Sequence, residues 1–284
     1  MKILITGSQG MLGQDLTVRL RARHQVMPFT RAEADITDAS AIAQAIRRAA
    51  PEVIVHAAAF TAVDRCESER ALAFRVNGEG TRNVALACRE VAIPLVYLST
   101  DYVFDGEKGG PYVESDATHP LSVYGESKLE GENQVKALLD RYWIIRTSWL
   151  FGPHGRNFVA AILGQARRGV PLRVVNDQTG SPTYTEDLAA AVEAVIEYGS
   201  PGVYHISNQG FCSWFGFSRE ILRQAGFDPS RITPIPSSAL DRPAHRPKNS
   251  RLANARLAAE GIPLLPPWQD ALRRYLARTS EIKP

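Results

Sequence analysis

Tyr124 and Lys128 stand four residues apart in Ser122-Val123-Tyr124-Gly125-Glu126-Ser127-Lys128, and Ser99-Thr100-Asp101 closes an apolar run from Pro94 to Leu98. Four residues is about one helical turn, so a helix from Ser122 to roughly Leu139 sets the phenol and the ammonium on one face. A cation beside a phenol favours its ionised form, and the expected result is a Tyr124 pKa drawn down from about 10 toward neutrality. A phenol tuned in this way gives a proton to a carbonyl oxygen, or takes one from an alcohol, at working pH. The Ser-Thr-Asp end of a buried parallel strand delivers hydroxyls and a carboxylate to the sheet edge where open α/β folds hold ligands. Alone, Tyr-x-x-x-Lys is equally an exposed helix pair, and its meaning depends on the elements around it.

Those elements begin at residue 2. Lys2 to Thr6 is a short buried strand, and Gly7-Ser8-Gln9-Gly10-Met11-Leu12-Gly13 turns it into a helix with Leu12, Leu16 and Leu20 on one face. Glycines there let backbone approach a pyrophosphate, and the helix N-terminus offers unpaired N–H groups. The spacing is G-x-x-G-x-x-G rather than G-x-G-x-x-G, a weak string whose weight comes from its place between strand and helix. A second strand, Val26 to Phe29, ends at Thr30-Arg31, where an acid would hold the adenosine ribose. A hydroxyl and an arginine favour a 2′-phosphate and hence NADPH over NADH; the alternative for Arg31 is a solvated loop charge. Asp35-Ile36 follows, with Asp35 either accepting from an adenine amino group or holding a turn. Glu52 to His56 is another strand, and Ala57-Ala58-Ala59-Phe60-Thr61 after it leaves room for a flat ligand against backbone. A helix from about Glu69 to Val91 carries Asn77 on an otherwise apolar face, placed to bind backbone or water near the site. Trp143 to Gly152 reads as a sixth strand running out over it.

This order predicts an α/β chain: a Rossmann-type doubly wound parallel sheet with a smaller, discontinuous C-terminal substrate domain. The dinucleotide-binding part is expected at 1–150 and 172–199, where Leu172 to Val175 reads as a strand leading to a helix with Leu188, Val192, Val195 and Ile196, and the substrate-binding part at 151–171 and 200–284, with a strand at Val203 to Ile206. The chain has 284 residues, 44% hydrophobic and 22% charged, with a net charge of +3. That balance argues against nucleic acid and membrane surfaces and is compatible with an anionic small molecule. Cys66, Cys88 and Cys212 are odd in number and widely spaced, which suits reduced thiols in a cytoplasm. The histidines show no ligand pairing, so no metal site is expected. No signal peptide is expected, since Met1 leads directly into a core strand.

Taken in order, the glycine turn, the alanine run, Ser99-Thr100-Asp101 and Tyr124-x-x-x-Lys128 resemble the extended short-chain dehydrogenase/reductase superfamily. Thr61-Ala62-Val63-Asp64, Ser99 to Phe104, Arg146-Thr147-Ser148-Trp149, Asn176-Asp177-Gln178 and Arg246-Pro247-x-x-Ser250 look like its dTDP-4-dehydrorhamnose reductase family, across the whole chain. The resemblance implies NADPH- or NADH-dependent reduction of the C4 ketone of dTDP-4-dehydro-6-deoxy-L-mannose to dTDP-L-rhamnose. It implies Tyr124 as proton donor, Lys128 on the nicotinamide ribose and Thr100 beside the phenol and keto oxygen. Gly7, Gly10, Met11 and Leu12 would meet the pyrophosphate, Asp35 and Ile36 the adenine, and Ala59, Phe60, Thr61 and Leu98 the cofactor trough. Asp101 and Trp149 would contact the substrate, with a core aromatic as the alternative for Trp149. Arg242 and Arg246 would meet the substrate diphosphate or lie on a solvated loop. Some members form homodimers through a magnesium site, whose acidic residues find no matched positions here; both magnesium and a homodimer stay open. Two rivals keep the fold: a sugar-nucleotide epimerase or dehydratase with tightly held NAD, and an NADP-binding regulatory subunit without turnover. Dehydratases use a glutamate where this chain has Tyr102.

Overall fold

The structure is a computed structural model and describes residues 1–281. In chain order, β1 (Lys2–Thr6), α1 (Met11–Arg21), β2 (Gln25–Phe29), α2 (Ala39–Ala49) and β3 (Val53–His56) come first. Next are α3 (Val63–Ser68), α4 (Arg70–Phe74), a π turn over Arg75–Gly80, α5 (Thr81–Glu90), β4 (Leu95–Thr100), α6 (Val123–Leu138) and β5 (Tyr142–Thr147). Then follow β6 (Leu150–Phe151), α7 (Phe158–Arg167), β7 (Leu172–Val175), β8 (Thr179–Gly180), β9 (Thr183–Tyr184), α8 (Thr185–Tyr198) and β10 (Gly202–His205). The last elements are β11 (Cys212–Ser213), α9 (Trp214–Gln224), β12 (Ile232–Ile235), α10 (Ala255–Ala259) and α11 (Trp268–Glu281).

The main sheet has six strands in the order β10-β5-β4-β3-β1-β2, each pair parallel. Its strands read as unbroken apolar runs because both faces are covered. Ile3 and Ile5 point into one core with Leu16, Leu188 and Val192, while Leu4 points into the other with Ile46, Val84 and Ile144. Pro28, which has no N–H to donate, sits in β2, the edge strand that pairs only with β1. Strand order reverses between β1 and β3, and a doubly wound sheet opens its ligand crevice at such a switch point. A third core, around Phe151, Tyr184, Phe217 and Trp268, lies outside the main sheet.

Two strands go to the opposite partner from the one expected. Residues 172–175 do not return to the main sheet; β7 pairs with β12, and Leu172 and Val174 join the third core. Residues 202–205, expected in the substrate part, form β10 and pair with β5 as the outer strand of the main sheet. A four-residue apolar run identifies a strand without naming its neighbour, which packing decides. The helix 185–198 does pack on α1 and the main core, as expected. The single helix expected over 69–91 is broken by the π turn at Asn77. The strand expected over 143–152 stops at Thr147, because Trp149 adopts φ +48. No helix among the described residues is long and apolar enough to cross a membrane.

Candidate active site

The glycine turn is shaped by contact with the switch point. Gly7 has φ +71, and a Cβ there would lie 2.6 Å from the Ala58 nitrogen, so no other residue fits without backbone movement. The start of α6 is held as closely. Ser122 caps it by accepting from the Gly125 N–H at 3.2 Å, and a Cβ on Gly125 would lie 2.2 Å from the Tyr102 carbonyl oxygen. This contact brings the first turn of α6, with Tyr124, against the end of β4. Asn77 braces the opposite wall: its amide oxygen accepts from the Phe60 N–H at 2.8 Å, and its nitrogen donates to Ser127 Oγ at 2.9 Å. The π turn thus has a local purpose, directing a buried amide at the alanine loop and at α6.

The structure places the candidate residues on two adjoining hollows. One, of about 360 Å³, is lined by Gly7, Gly10, Met11, Leu12, Thr61, Leu98, Thr100, Asp101, Tyr124, Lys128 and Trp149. The other, of about 450 Å³, is lined by Thr30, Arg31, Asp35, Ile36, Ala59 and Phe60, and shares Gly7, Gly10, Ala57 and Ala59 with the first. The two form one trough crossing the switch point, with its waist at the glycine turn. A dinucleotide fits that shape: backbone at the waist for the pyrophosphate, apolar walls to either side. A larger hollow of about 770 Å³ beside Leu163, Phe227 and Leu276 contains none of these residues.

The electrostatics differ from the expectation for Tyr124. Lys128 Nζ donates to the Leu98 carbonyl at 2.6 Å and lies 4.1 Å from the centre of the Tyr97 ring. The ammonium is thus held at the sheet edge, and its charge is not among the main influences on the phenol. Burial pushes the Tyr124 phenol up, with the Thr100 hydroxyl pulling the other way, so the group is raised and not drawn toward neutrality. Burial also lowers Lys128 to about 7, against the opposing charge of Glu132. Glu132, one turn further along α6, is fully buried. Burial raises its carboxyl, but Arg146 at 2.7 and 2.9 Å and Ser99 at 2.6 Å outweigh this and hold it below the usual range. Burial raises Asp101 to about 7, with the Ser250 and Thr100 hydroxyls pulling the other way, and among the described residues its Oδ2 has no partner within hydrogen-bond distance.

At the adenosine end, Asp35 holds a turn. It accepts from the Thr37 N–H at 2.9 Å and pairs with Arg31 Nε at 3.0 Å. Arg31 is 80% exposed, so its charge is partly compensated and well solvated. Glu33 folds back to accept from the Thr30 N–H at 2.7 Å, putting a carboxylate near the strand end where the sequence suggested none.

Beyond Tyr124 the trough opens toward Tyr102 and Trp214, neither of them expected in the site, beside the expected Arg242 and Arg246. Tyr102 meets Tyr124 edge-on at 5.6 Å and also lines a hollow of about 290 Å³ with Phe158, Arg173, Trp214, Arg242 and Arg246. Trp149 stacks on Trp214 with ring centres 3.5 Å apart and planes 7° from parallel. Tyr102 adjoins Asp101 and had a local signal; Trp214 had none, since it reaches Trp149 only through the fold. Arg246 is not on a solvated loop. It pairs with Asp64 at 2.8 Å and is 12% exposed, tying the C-terminal segment to the first turn of α3. Burial, together with the charge of Arg246, lowers Arg242.

The family model described as RmlD substrate binding domain matches residues 1–281. A dTDP-4-dehydrorhamnose reductase of Streptomyces griseus is 45% identical over 276 residues, covering 95% of this chain and 91% of that protein. A solved dTDP-4-dehydrorhamnose reductase of Clostridium acetobutylicum superposes with a TM-score of 0.96 at 41% identity, over 99% of this chain and 100% of its own. The reductase of Bacillus anthracis, solved in complex with NADP, superposes with a TM-score of 0.95 at 38% identity, over 98% of this chain and 99% of its own.

Proposed function

The chain belongs to the RmlD family of dTDP-4-dehydrorhamnose reductases, and from this we propose that it reduces the C4 ketone of dTDP-4-dehydro-6-deoxy-L-mannose to dTDP-L-rhamnose, with NADPH as hydride donor and Tyr124 as proton donor. The observation that carries this reading is the single hollow in which Thr100, Tyr124 and Lys128 share walls with the glycine turn. NADPH, when bound, supplies the hydride that C4 receives. The chain supplies the rest.

A phenol raised by burial keeps its proton at working pH, which is the form a donor needs when the keto oxygen gains negative charge. Thr100 accepts from the Tyr102 N–H at 3.2 Å and donates to Asp101 at 3.0 Å, so its oxygen is fixed beside the phenol. Lys128 uses one N–H on Leu98, and its others are free to reach a ribose hydroxyl. Asp101, raised to about 7 and with no partner for Oδ2 among the described residues, is suited to a sugar hydroxyl. Trp149 and Trp214 offer an aromatic wall for the nucleotide, and Arg242 and Arg246 offer charge for the diphosphate. The three cysteines are free, which supports a cytoplasmic location.

Mixing the purified protein with NADPH and the keto sugar nucleotide, and following nicotinamide absorbance, tests the reading. Stoichiometric loss of absorbance with formation of the 4-hydroxy sugar supports it. Binding of NADPH without turnover would instead favour the regulatory subunit. Tightly bound NAD in the purified protein, with no net oxidation of added NADPH, would favour an epimerase or dehydratase.

A further inference from the structure

Away from the trough, His24, Glu193 and Glu197 turn one donor atom each toward a common point, all within 4.8 Å of one another. His24 lies in the turn between α1 and β2; the glutamates are one helical turn apart on α8 and project from one face. His24 Nε2 is 3.4 Å from Glu193 Oε1 and 3.6 Å from Glu197 Oε1. A tetrahedral ion with bonds of about 2.1 Å has ligand-to-ligand edges of about 3.4 Å, so these separations fit around one centre. The side chains are closed off, at 6%, 3% and 13% exposure respectively. Among the described residues, neither ring nitrogen of His24 has a hydrogen-bond partner, and nor does Glu193 Oε1. Such buried atoms call for a partner.

The surrounding charges orient the donors. Arg19 holds Glu193 Oε2 at 2.6 Å and Arg23 holds Glu197 Oε2 at 3.0 Å, so each guanidinium fixes a carboxylate by one oxygen and leaves Oε1 toward His24. Arg23 also comes to 4.0 Å of Glu193 Oε1, which weakens the site for a cation without blocking it. We propose that this cluster binds a zinc-type dication through His24 Nε2, Glu193 Oε1 and Glu197 Oε1, with water completing the coordination. Imidazole beside carboxylates favours zinc over magnesium, which takes oxygen ligands in an octahedron. The ion would tie the entry to β2 to α8 and act on stability rather than turnover.

Untagged, chelator-treated protein titrated calorimetrically with zinc and with magnesium tests this, beside His24→Gln and Glu197→Gln, with folding of each checked by circular dichroism. The expected result is one zinc per chain at micromolar affinity, at least tenfold weaker in each variant and undetectable for magnesium. Zinc at a hundredfold excess over its dissociation constant should raise the melting temperature by about 5 °C in the parent only. Glu197→Gln, at the most exposed of the three positions, keeps the test decisive if the histidine variant fails to fold. Absence of zinc binding, or binding undiminished in the folded variants, would overturn the proposal and leave His24 in direct contact with the two carboxylates. Equal affinity for magnesium would overturn it as well.

Discussion

On the cofactor side of Tyr124 the trough is walled largely by backbone: the glycine turn, the alanine run after β3 and the end of β4, all at adjacent strand ends of one sheet. On the far side the wall is made of side chains from distant segments, with Trp149 on Trp214, Tyr102 on Tyr124 and Arg246 on Asp64. A backbone wall tolerates little change at a few positions and leaves local marks in sequence. A side-chain wall is assembled by folding and spreads its tolerance over many contacts. Substitutions on the two sides should therefore separate cofactor binding from substrate binding, with Tyr124 between them affecting neither.

Tyr124→Phe carries the largest expected effect. Turnover should fall about a thousandfold, in the range of a lost general acid, while NADPH affinity measured by fluorescence stays within twofold. Loss of binding alongside turnover would make Tyr124 part of the cofactor wall and blur the comparison. Gly7→Ala should come next, costing about 2–3 kcal/mol through φ +71 and the contact with Ala58. NADPH affinity should drop near a hundredfold, with the KM for sugar nucleotide little changed at saturating cofactor. Trp214→Ala should show the converse, a KM for sugar nucleotide raised about tenfold through loss of the stacked pair, with NADPH affinity intact. If Trp214→Ala weakens NADPH instead, the division of the trough is wrong.

The same contrast explains what the sequence reveals. Gly7 before an amphipathic helix, and Ser122 before Tyr124, are signals within one turn of the feature they specify, and both lie where expected. Trp214 opens α9 like any apolar helix residue; nothing near it in sequence points to Trp149. The runs 172–175 and 203–206 are legible as strands, but their partners depend on contacts with Ile232–Ile235 and Tyr142–Thr147 that no local pattern encodes. The Lys128 ammonium was misread for a related reason. Helical spacing puts it near Tyr124, yet the Leu98 carbonyl and the Tyr97 ring compete for it across the sheet. His24 with Glu193 and Glu197 is invisible in sequence because about 170 residues separate its parts.

A smaller effect should come from Asp101→Asn, read as stability against pH. The folded group is raised to about 7 from 3.8. Between those values the folded chain keeps a proton that the unfolded chain has lost, so stability falls as pH rises through the window and levels off above it. Asparagine removes that dependence. The melting temperature of the variant should gain on the parent from pH 4 to 7, by a few degrees at most, and the gap should stay flat at pH 8. A constant gap at every pH would mean that Asp101 is charged throughout and bound to a partner.

Arg31→Ala should have the smallest effect, and it tests the adenosine end, where the cofactor wall relies on an exposed side-chain charge. Thr30-Arg31 at the end of β2 suggests a seat for a 2′-phosphate. In the fold Arg31 is 80% exposed and shares its charge with Asp35 at 3.0 Å. A solvated ion pair of this kind is worth about 0–1 kcal/mol, so the variant should bind NADPH about threefold more weakly and NADH as before. The difference should vanish near 1 M salt, where screening acts over about 3 Å. A thirtyfold loss that persists in salt would mean Arg31 leaves Asp35 to clamp the phosphate, making this end of the trough a side-chain wall. An equal loss for both cofactors would remove Arg31 from phosphate recognition and return the preference for NADPH to the backbone and Thr30.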